Sequence, residues 1–197
     1  MTIYIAFLRG INVGGHNKIK MAELKQMFEG MGFTRVKTYI QSGNVLFESG
    51  EKEPFILKCI EHEIKEVFGF TISVVLRTST ELERITGECP FSKEEISVAE
   101  ESSEGESLYV ALLLEVPSQE RIEGLSAFIT EYEDFRFEGR EVYLLFRKSI
   151  RNSKLAIKVQ KLGVPVTIRN WKTMNKLTTL AKEIERKTGV STVIEGD

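Results

Sequence analysis

The residues best suited to binding an anion lie in a glycine-rich segment, RGINVGGHNK, at positions 9–18. Lysine and arginine supply positive charge, asparagine side chains donate hydrogen bonds, and glycines let the backbone come close to a ligand. The segment lacks the spacing of a P-loop, because no Ser or Thr follows Lys18, and it also lacks the G-x-G-x-x-G spacing of dinucleotide-binding loops. Residue types therefore indicate either an anion site or a wide turn.

Two basic segments in the second half, RNSKL at 151–155 and RNWKT at 169–173, each enter a predicted helix. Asn152 or Ser153 can cap the first helix, and Asn170 can cap the second. Free backbone N–H groups and the positive end of the helix dipole favour an anion at each start. Further positive charge would come from Arg151, Lys154, Arg169 and Lys172. Trp171 is either a core anchor or a stacking surface beside Arg169.

Residues that commonly act as nucleophiles or metal ligands are few. The two histidines, His16 and His62, and the two cysteines, Cys59 and Cys89, lack metal-ligand spacing and recognisable catalytic partners. The sequence therefore predicts no metal site, and it assigns no catalytic residue and no cofactor. The isolated cysteines are typical of reduced thiols in a cytoplasmic protein. We expect no membrane span, because no apolar run approaches about 20 residues.

The elements that position these segments occur twice along the chain, in the order β-α-β-β-α-β. In the first half, hydrophobic patterns predict strands at 3–8 and in TISVVLR, helices at 20–31 and 54–68, and a hairpin about Ser42–Gly43. The second half repeats this order with strands at 107–115 and in PVTIR, helices at 118–130 and 153–163, and a hairpin about Gly139. A further short helix is expected at 78–86, and a longer closing helix at 170–187.

This order predicts an α+β fold of two tandem ferredoxin-like subdomains with an extra C-terminal helix. In such a subdomain the first two strands run parallel with the third between them. The loop at 9–18 and the hairpin turn at 41–44 should therefore lie at one sheet edge. The ends of the third and fourth strands should likewise bring the segments at 151 and 169 to one edge of the second sheet.

Composition divides the chain into a first subdomain at 1–90, an acidic linker at 91–106 and a second subdomain at 107–197. The linker is serine-rich and lacks periodicity, so we expect an exposed loop.

From Arg147 to Lys187 there are twelve Lys and Arg residues against two acidic residues, a net charge of +10. The whole chain has a net charge of −2, so the rest of the chain carries −12. A basic C-terminal segment thus joins an acidic body.

Several segments, FLRGINVGGHNKIKMAEL, YIQSGNVLFES, GREVYLLF, RNSKL and VTIRNWKTMNKL, resemble a bacterial family called domain of unknown function 1697. The resemblance runs over essentially the whole chain, implies a cytoplasmic bacterial protein and implies no particular activity. The family signatures fall on these candidate ligand-binding residues: Arg9, Gly10, Asn12, Gly14, Gly15, Lys18, Gln41, Ser42, Gly43, Asn44, Ser153, Lys154, Arg169, Asn170 and Trp171. The chain departs from the family pattern at His16 and Cys89, which argues against a catalytic role for either.

These observations together predict a protein that binds a small anionic ligand, phosphorylated or nucleotide-like, in a cleft between the subdomains. One alternative is a nucleic-acid-binding module that uses the basic C-terminal segment. Another is a protein-interaction module in which the polar motifs only lock the two halves together. Aromatic residues on the predicted strands could instead form an RNA-reading sheet face, but the RNP1 pattern is absent and core packing is favoured.

Overall fold

The computed structural model describes residues 1–191 and divides the chain into two compact units. The first unit takes Met1–Arg84 together with the chain from Asn175 onward, and the second takes Ile85–Met174. This division differs from the predicted boundaries at 90 and 107, because the C-terminal segment belongs with the N-terminal residues. Residues 192–197 of the predicted second subdomain lie outside the described residues.

The first unit contains one four-stranded antiparallel sheet with strand order β2-β3-β1-β4. Its strands and helices are β1 (Thr2–Leu8), α1 (Met21–Gly30), β2 (Thr34–Tyr39), β3 (Asn44–Ser49), α2 (Glu53–Phe68) and β4 (Val74–Thr78). Helix α3 (Ser79–Gly87) follows β4 and crosses into the second unit. Since β1 and β2 both pair antiparallel with β3, their C-terminal ends lie at the same edge of the sheet.

Helical spacing in the sequence explains the core of the first unit. Helix α2 buries Ile56, Ile60 and Ile64, which recur every fourth residue and so lie on one face. They join one apolar cluster with Phe28 of α1 and with Phe47 of β3. The rings of Phe28 and Phe47 meet edge to face, with centroids 5.3 Å apart. This packing fixes the sheet from which the site loops emerge.

The second unit repeats the topology with strand order β6-β7-β5-β8, again all antiparallel. Its strands are β5 (Leu108–Leu113), β6 (Glu133–Glu138), β7 (Glu141–Phe146) and β8 (Val166–Asn170). Its helices are α4 (Lys93–Ser102), α5 (Gln119–Glu123), a 3₁₀ helix (Gly124–Phe128) and α6 (Lys154–Val159), and α7 (Trp171–Ser191) begins here and continues into the first unit.

The acidic segment at 91–106 differs from its prediction as an exposed loop, because most of it forms helix α4. Ser92 caps this helix: its hydroxyl accepts from the Glu95 N–H, and the Glu95 carboxylate accepts from the Ser92 N–H, a capping box. Arg136 of β6 pairs with Glu95 and also donates to the Pro90 carbonyl. The S-x-x-E pattern at residues 92–95 is typical of a helix N-terminus. The acidic residues around it favoured the prediction of an exposed loop instead.

Several aromatic side chains of the strands are buried, whereas Tyr39 and Tyr109 are only partly buried. Phe7, Phe47 and Tyr143 are completely inaccessible to solvent, and Tyr4 is 7% exposed. The Tyr143 hydroxyl donates to the Ile85 carbonyl at 3.0 Å. Stacking of RNA bases requires exposed rings, so these residues do not provide such a surface.

Among residues 1–191 no helix is both long and apolar enough to span a membrane.

Candidate functional site

The segment at 9–20 forms an ordered loop organised by the side chain of Asn12. The Asn12 amide donates from Nδ2 to the Ile19 carbonyl at 3.0 Å and to the Gln41 carbonyl at 2.9 Å. Its Oδ1 accepts from the Ile19 N–H at 2.9 Å. One side chain thus closes the loop on itself and ties it to the hairpin turn, which confirms that the two segments meet at one sheet edge. The adjacent Ile11 is 1% exposed and anchors the loop in the core.

Left-handed backbone conformations are concentrated in this loop. Gly10, Asn12, Gly14, Gly15 and Asn17 all have positive φ, between 48° and 81°. Glycine adopts this region at no steric cost, and asparagine tolerates it better than most residues. Left-handed residues are a feature of the backbone concavities that bind anions through N–H groups. The glycines and asparagines of the predicted site therefore have a conformational reason to be present.

The hairpin turn between β2 and β3 packs beneath the loop. The Leu8 N–H donates to the Gly43 carbonyl at 2.8 Å. Asn44 is completely buried, and its amide donates to the Tyr39 carbonyl at 3.1 Å and to the Ser42 hydroxyl at 2.9 Å. The side chain of Asn44 is therefore a structural group of the turn, since it contacts no solvent.

A pocket of about 700 Å³ opens beside the loop, and we call it the loop pocket. Its lining residues are Asn12, Gly15, Lys18, Ile19, Lys20, Met21, Glu23 and Gln41. The Lys20 ammonium pairs with the Glu23 carboxylate at 3.2 Å. Lys18 is exposed, and within the described part of the chain neither its ammonium nor the N–H groups of Gly14 and Gly15 contact a hydrogen-bond acceptor. The loop pocket therefore offers the ammonium of Lys18 and the N–H group of Gly15 to a ligand.

Ile40 is a strained residue next to this pocket. It has a φ of 49°, which is rare for a β-branched side chain, and its side chain is 48% exposed. We expect Ile40→Asn to raise the free energy of unfolding by about 0.5–1 kcal/mol, because asparagine tolerates this conformation and little burial is lost. Chemical denaturation measures the change. The matched control, Val116→Asn, alters an exposed valine of ordinary φ and should be nearly neutral; equal effects would contradict a strain origin.

The predicted site residues at 153 and 154 lie at the start of α6 in the second unit. The Ser153 hydroxyl accepts from the Ala156 N–H at 3.0 Å, which confirms the predicted helix cap, and donates to the Glu133 carboxylate at 2.8 Å. Lys154 is exposed. Since α6 has only six residues, its N-terminus offers a weak dipole for an anion. The nearby carboxylate further disfavours one.

The residues from Arg169 to Trp171 join β8 to α7. Asn170 caps α7, since its Oδ1 accepts from the Thr173 N–H at 2.8 Å. The Arg169 guanidinium donates to the Thr167 hydroxyl at 2.7 Å and to the Ile168 carbonyl at 2.9 Å. Burial lowers the pKa of Arg169 to about 10, so this side chain is still cationic at neutral pH. The Trp171 ring packs against Tyr143, with centroids 6.4 Å apart, which favours the anchor interpretation over a free stacking surface.

The structure brings only part of the predicted set together. Asn12, Gly15, Lys18 and Gln41 line the loop pocket, whereas Arg9, Gly10 and Gly14 belong to the same loop outside that lining. Ser42, Gly43 and Asn44 form the turn below, and the candidates from 153 to 171 belong to the second unit. The sequence analysis missed the pocket residues of the first turn of α1, Lys20, Met21 and Glu23. Their position directly after the loop was the available signal.

No cluster of three or more His, Cys, Asp and Glu side chains suited to a metal ion occurs among residues 1–191. Cys89 is partly buried, and desolvation raises the pKa of its thiol. A raised pKa lowers the fraction of the nucleophilic thiolate at neutral pH. The raised pKa argues against Cys89 as a nucleophile.

Comparisons with known proteins agree with the resemblance noted from the motifs. The chain is similar over 91% of its length, and over 98% of the other chain, to the conserved bacterial protein SP0830 from Streptococcus pneumoniae, with 27% sequence identity and a TM-score of 0.69. No curated protein matches the chain. A family model described as "Protein of unknown function (DUF1697)" matches residues 1–143. Because this match covers most of the chain and includes both the loop and the hairpin turn, the chain belongs to the DUF1697 family.

Proposed function

We propose that this protein binds a small anionic ligand, phosphorylated or nucleotide-like, in the loop pocket of the first unit. The observation that carries the proposal is the exposed Lys18 beside backbone N–H donors in a preformed pocket of about 700 Å³. This volume lies within the roughly 300–1,000 Å³ that is usual for sites of small molecules and cofactors. The first unit alone provides every group that the proposal needs.

Charge and geometry together support an anionic group at Lys18. An ammonium with three donors suits a phosphate or carboxylate, and hydrogen bonds to charged partners are stronger than neutral ones. The glycines at 14 and 15 leave the backbone uncovered, since a Cβ at Gly15 would meet no heavy atom within 4 Å. The first N–H groups of α1 add donors, because Lys20 at its N-cap position contributes no side-chain cap.

The rest of the ligand is expected to be polar and to carry hydroxyl groups. Glu23 supplies carboxylate oxygens that accept hydrogen bonds, and Gln41 supplies an exposed amide that both donates and accepts. Met21 adds a flexible apolar surface. A phosphate joined to a sugar fits this combination, because its charge faces Lys18 while its hydroxyl groups face Glu23 and Gln41.

We expect a thermal-shift screen with inorganic phosphate, nucleotides and sugar phosphates to identify a stabilising compound. A ligand at about 100 times its dissociation constant raises the free energy of unfolding by about 2.7 kcal/mol. Lys18→Gln should weaken that compound about tenfold or more, because it removes one charge-assisted hydrogen bond. Calorimetric titration measures the loss, and the control Lys58→Gln removes an exposed charge from α2.

Two outcomes would overturn this function. The first is that no phosphorylated compound raises the melting temperature. The second is binding of nucleic acid that weakens steeply with salt and that Lys18→Gln leaves unchanged, as a module based on the C-terminal segment requires.

The ferredoxin-like interpretation of both units belongs to this proposal as well. Its support is the shared strand order, with the first strand between the third and the fourth, and the helices that follow the first and third strands. On this interpretation the loop pocket occupies the edge where β1 ends and α1 begins. The equivalent connection of the second unit, from Leu113 to Gln119, is shorter and has no such glycine-rich segment.

A further inference from the structure

A second pocket, of about 280 Å³, opens in the first unit between α1, β2 and α7. Two of its lining residues are apolar and buried, Val36 at 5% and Ile184 at 2% exposure. The remaining lining residues are all cationic: Lys25, Arg35, Lys37 and Lys187. We call this site the basic pocket; it combines an apolar floor with a rim of one charge sign.

A β-bulge shapes the strand that forms one side of the basic pocket. Thr34 pairs with Glu48 and Lys37 pairs with Leu46, so β2 holds one extra residue between these pairs. Arg35 lies in the bulge with a φ of 54°, an uncommon conformation for arginine. Bulges redirect side chains and are frequent beside functional sites. This one keeps Val36 in the core while both cationic side chains of the strand reach the pocket.

Each of three rim cations has an acidic neighbour that lies outside the pocket lining. The ion pairs are Lys25–Glu29 at 3.6 Å, Arg35–Glu48 at 3.1 Å and Lys37–Glu183 at 4.0 Å. The Lys25 and Lys37 pairs are exposed, and such pairs contribute only about 0–1 kcal/mol each, whereas the Glu48 carboxylate that pairs with Arg35 is buried. An incoming anion can therefore share Lys25 and Lys37 without a large loss of stability, and their ammonium groups retain donors for a second acceptor.

We propose that the basic pocket binds a small organic anion with an apolar body, such as a medium-chain carboxylate. Its carboxylate contacts the cationic rim, while its hydrocarbon part contacts Val36 and Ile184. The volume of about 280 Å³ is below the usual range for drug-sized ligands, so the occupant is small. This site shares no lining residue with the loop pocket, and it does not depend on the proposed function.

Octanoate is a suitable probe, with acetate and 1-octanol as its charged and apolar halves. In a titration of the ¹⁵N-labelled protein, octanoate should shift the amide signals of α1, β2 and α7 around the pocket with one saturating affinity. Acetate and 1-octanol should each bind at least about tenfold more weakly, because each lacks one half of the recognition. Scattered shifts that do not saturate, or equal binding by all three compounds, would overturn the proposal.

Double variants that each remove two positive charges test whether the cationic rim binds octanoate. Lys37→Gln combined with Lys187→Gln should weaken octanoate about tenfold or more. The control, Lys58→Gln combined with Lys65→Gln, makes the same change in net charge on α2 and should leave the affinity within about twofold. Lys18→Gln should also leave it unchanged, which separates this site from the loop pocket. If the rim pair and the control pair bind octanoate equally, the basic pocket is not the site.

Discussion

Replacing Gly43 with alanine is expected to lower the free energy of unfolding by about 2–5 kcal/mol, the largest effect of a single methyl group at the site. Gly43 has a φ of 74°, where an L-residue costs about 1–2 kcal/mol. A Cβ built on it would lie 2.8 Å from Ile11 Cδ1 and 2.9 Å from Leu8 Cβ. Such overpacking costs a further 1–3 kcal/mol or so, because both neighbours are completely or almost completely buried.

Gly32→Ala is the matched control for this experiment. Gly32 has a φ of 84°, but nothing lies within 4 Å of its Cβ position. Its alanine variant therefore carries the conformational cost without the steric one. Urea denaturation gives the free energy of unfolding of each variant. The difference between the two measures the steric cost of the contact between the turn and the loop. Equal destabilisation would show that Ile11 does not pack against the turn as described.

Asn12→Ala is expected to lower the free energy of unfolding by about 2–4 kcal/mol and to loosen the whole loop. The substitution removes three hydrogen bonds and leaves the Ile19 N–H and carbonyl and the Gln41 carbonyl without their partner. It also places alanine at a φ of 55°. Hydrogen exchange at the Ile19 amide gives the local readout, which should accelerate far more than exchange in the sheet.

Asn17→Ala provides the comparison for Asn12. Asn17 has a similar φ of 48°, and its side chain makes a single hydrogen bond, to the Gly10 carbonyl at 3.2 Å. The difference between the two variants therefore reports the clamp between Asn12, Ile19 and Gln41 rather than the backbone strain. Should the two alanine variants lose equal stability, the clamp would contribute nothing beyond a single hydrogen bond.

Local sequence patterns were sufficient to predict many of the helices, strands and turns. The spacing of Ile56, Ile60 and Ile64 predicted a helix at 54–68, and α2 begins one residue earlier, at Glu53. The Ser42–Gly43 pair predicted the position of the hairpin turn. The meeting of the loop with that turn could also be predicted, because it follows from two strands running parallel on either side of a third.

Features that depend on distant partners could not be predicted in the same way. The periodicity of the C-terminal helix shows an apolar face but not the unit to which the helix belongs, so the assignment of residues from Asn175 onward to the first unit was missed. The pocket role of Glu23 was missed because carboxylates are common in the first turn of any helix. The burial of Asn44 was missed because its neighbours Ser42 and Gly43 are typical of an exposed turn.

The division of the first unit between the two ends of the chain affects when this unit can fold during synthesis. Its first 84 residues leave the ribosome long before the segment from Asn175, which supplies Ile184 to the basic pocket and pairs Lys182 with Glu83 at 3.5 Å. At bacterial translation rates of about 5–20 residues per second, the intervening 90 residues take on the order of 5–18 s. During that interval the nascent first unit lacks the part of α7 that follows Met174, whereas every residue of the second unit precedes Asn175 along the chain.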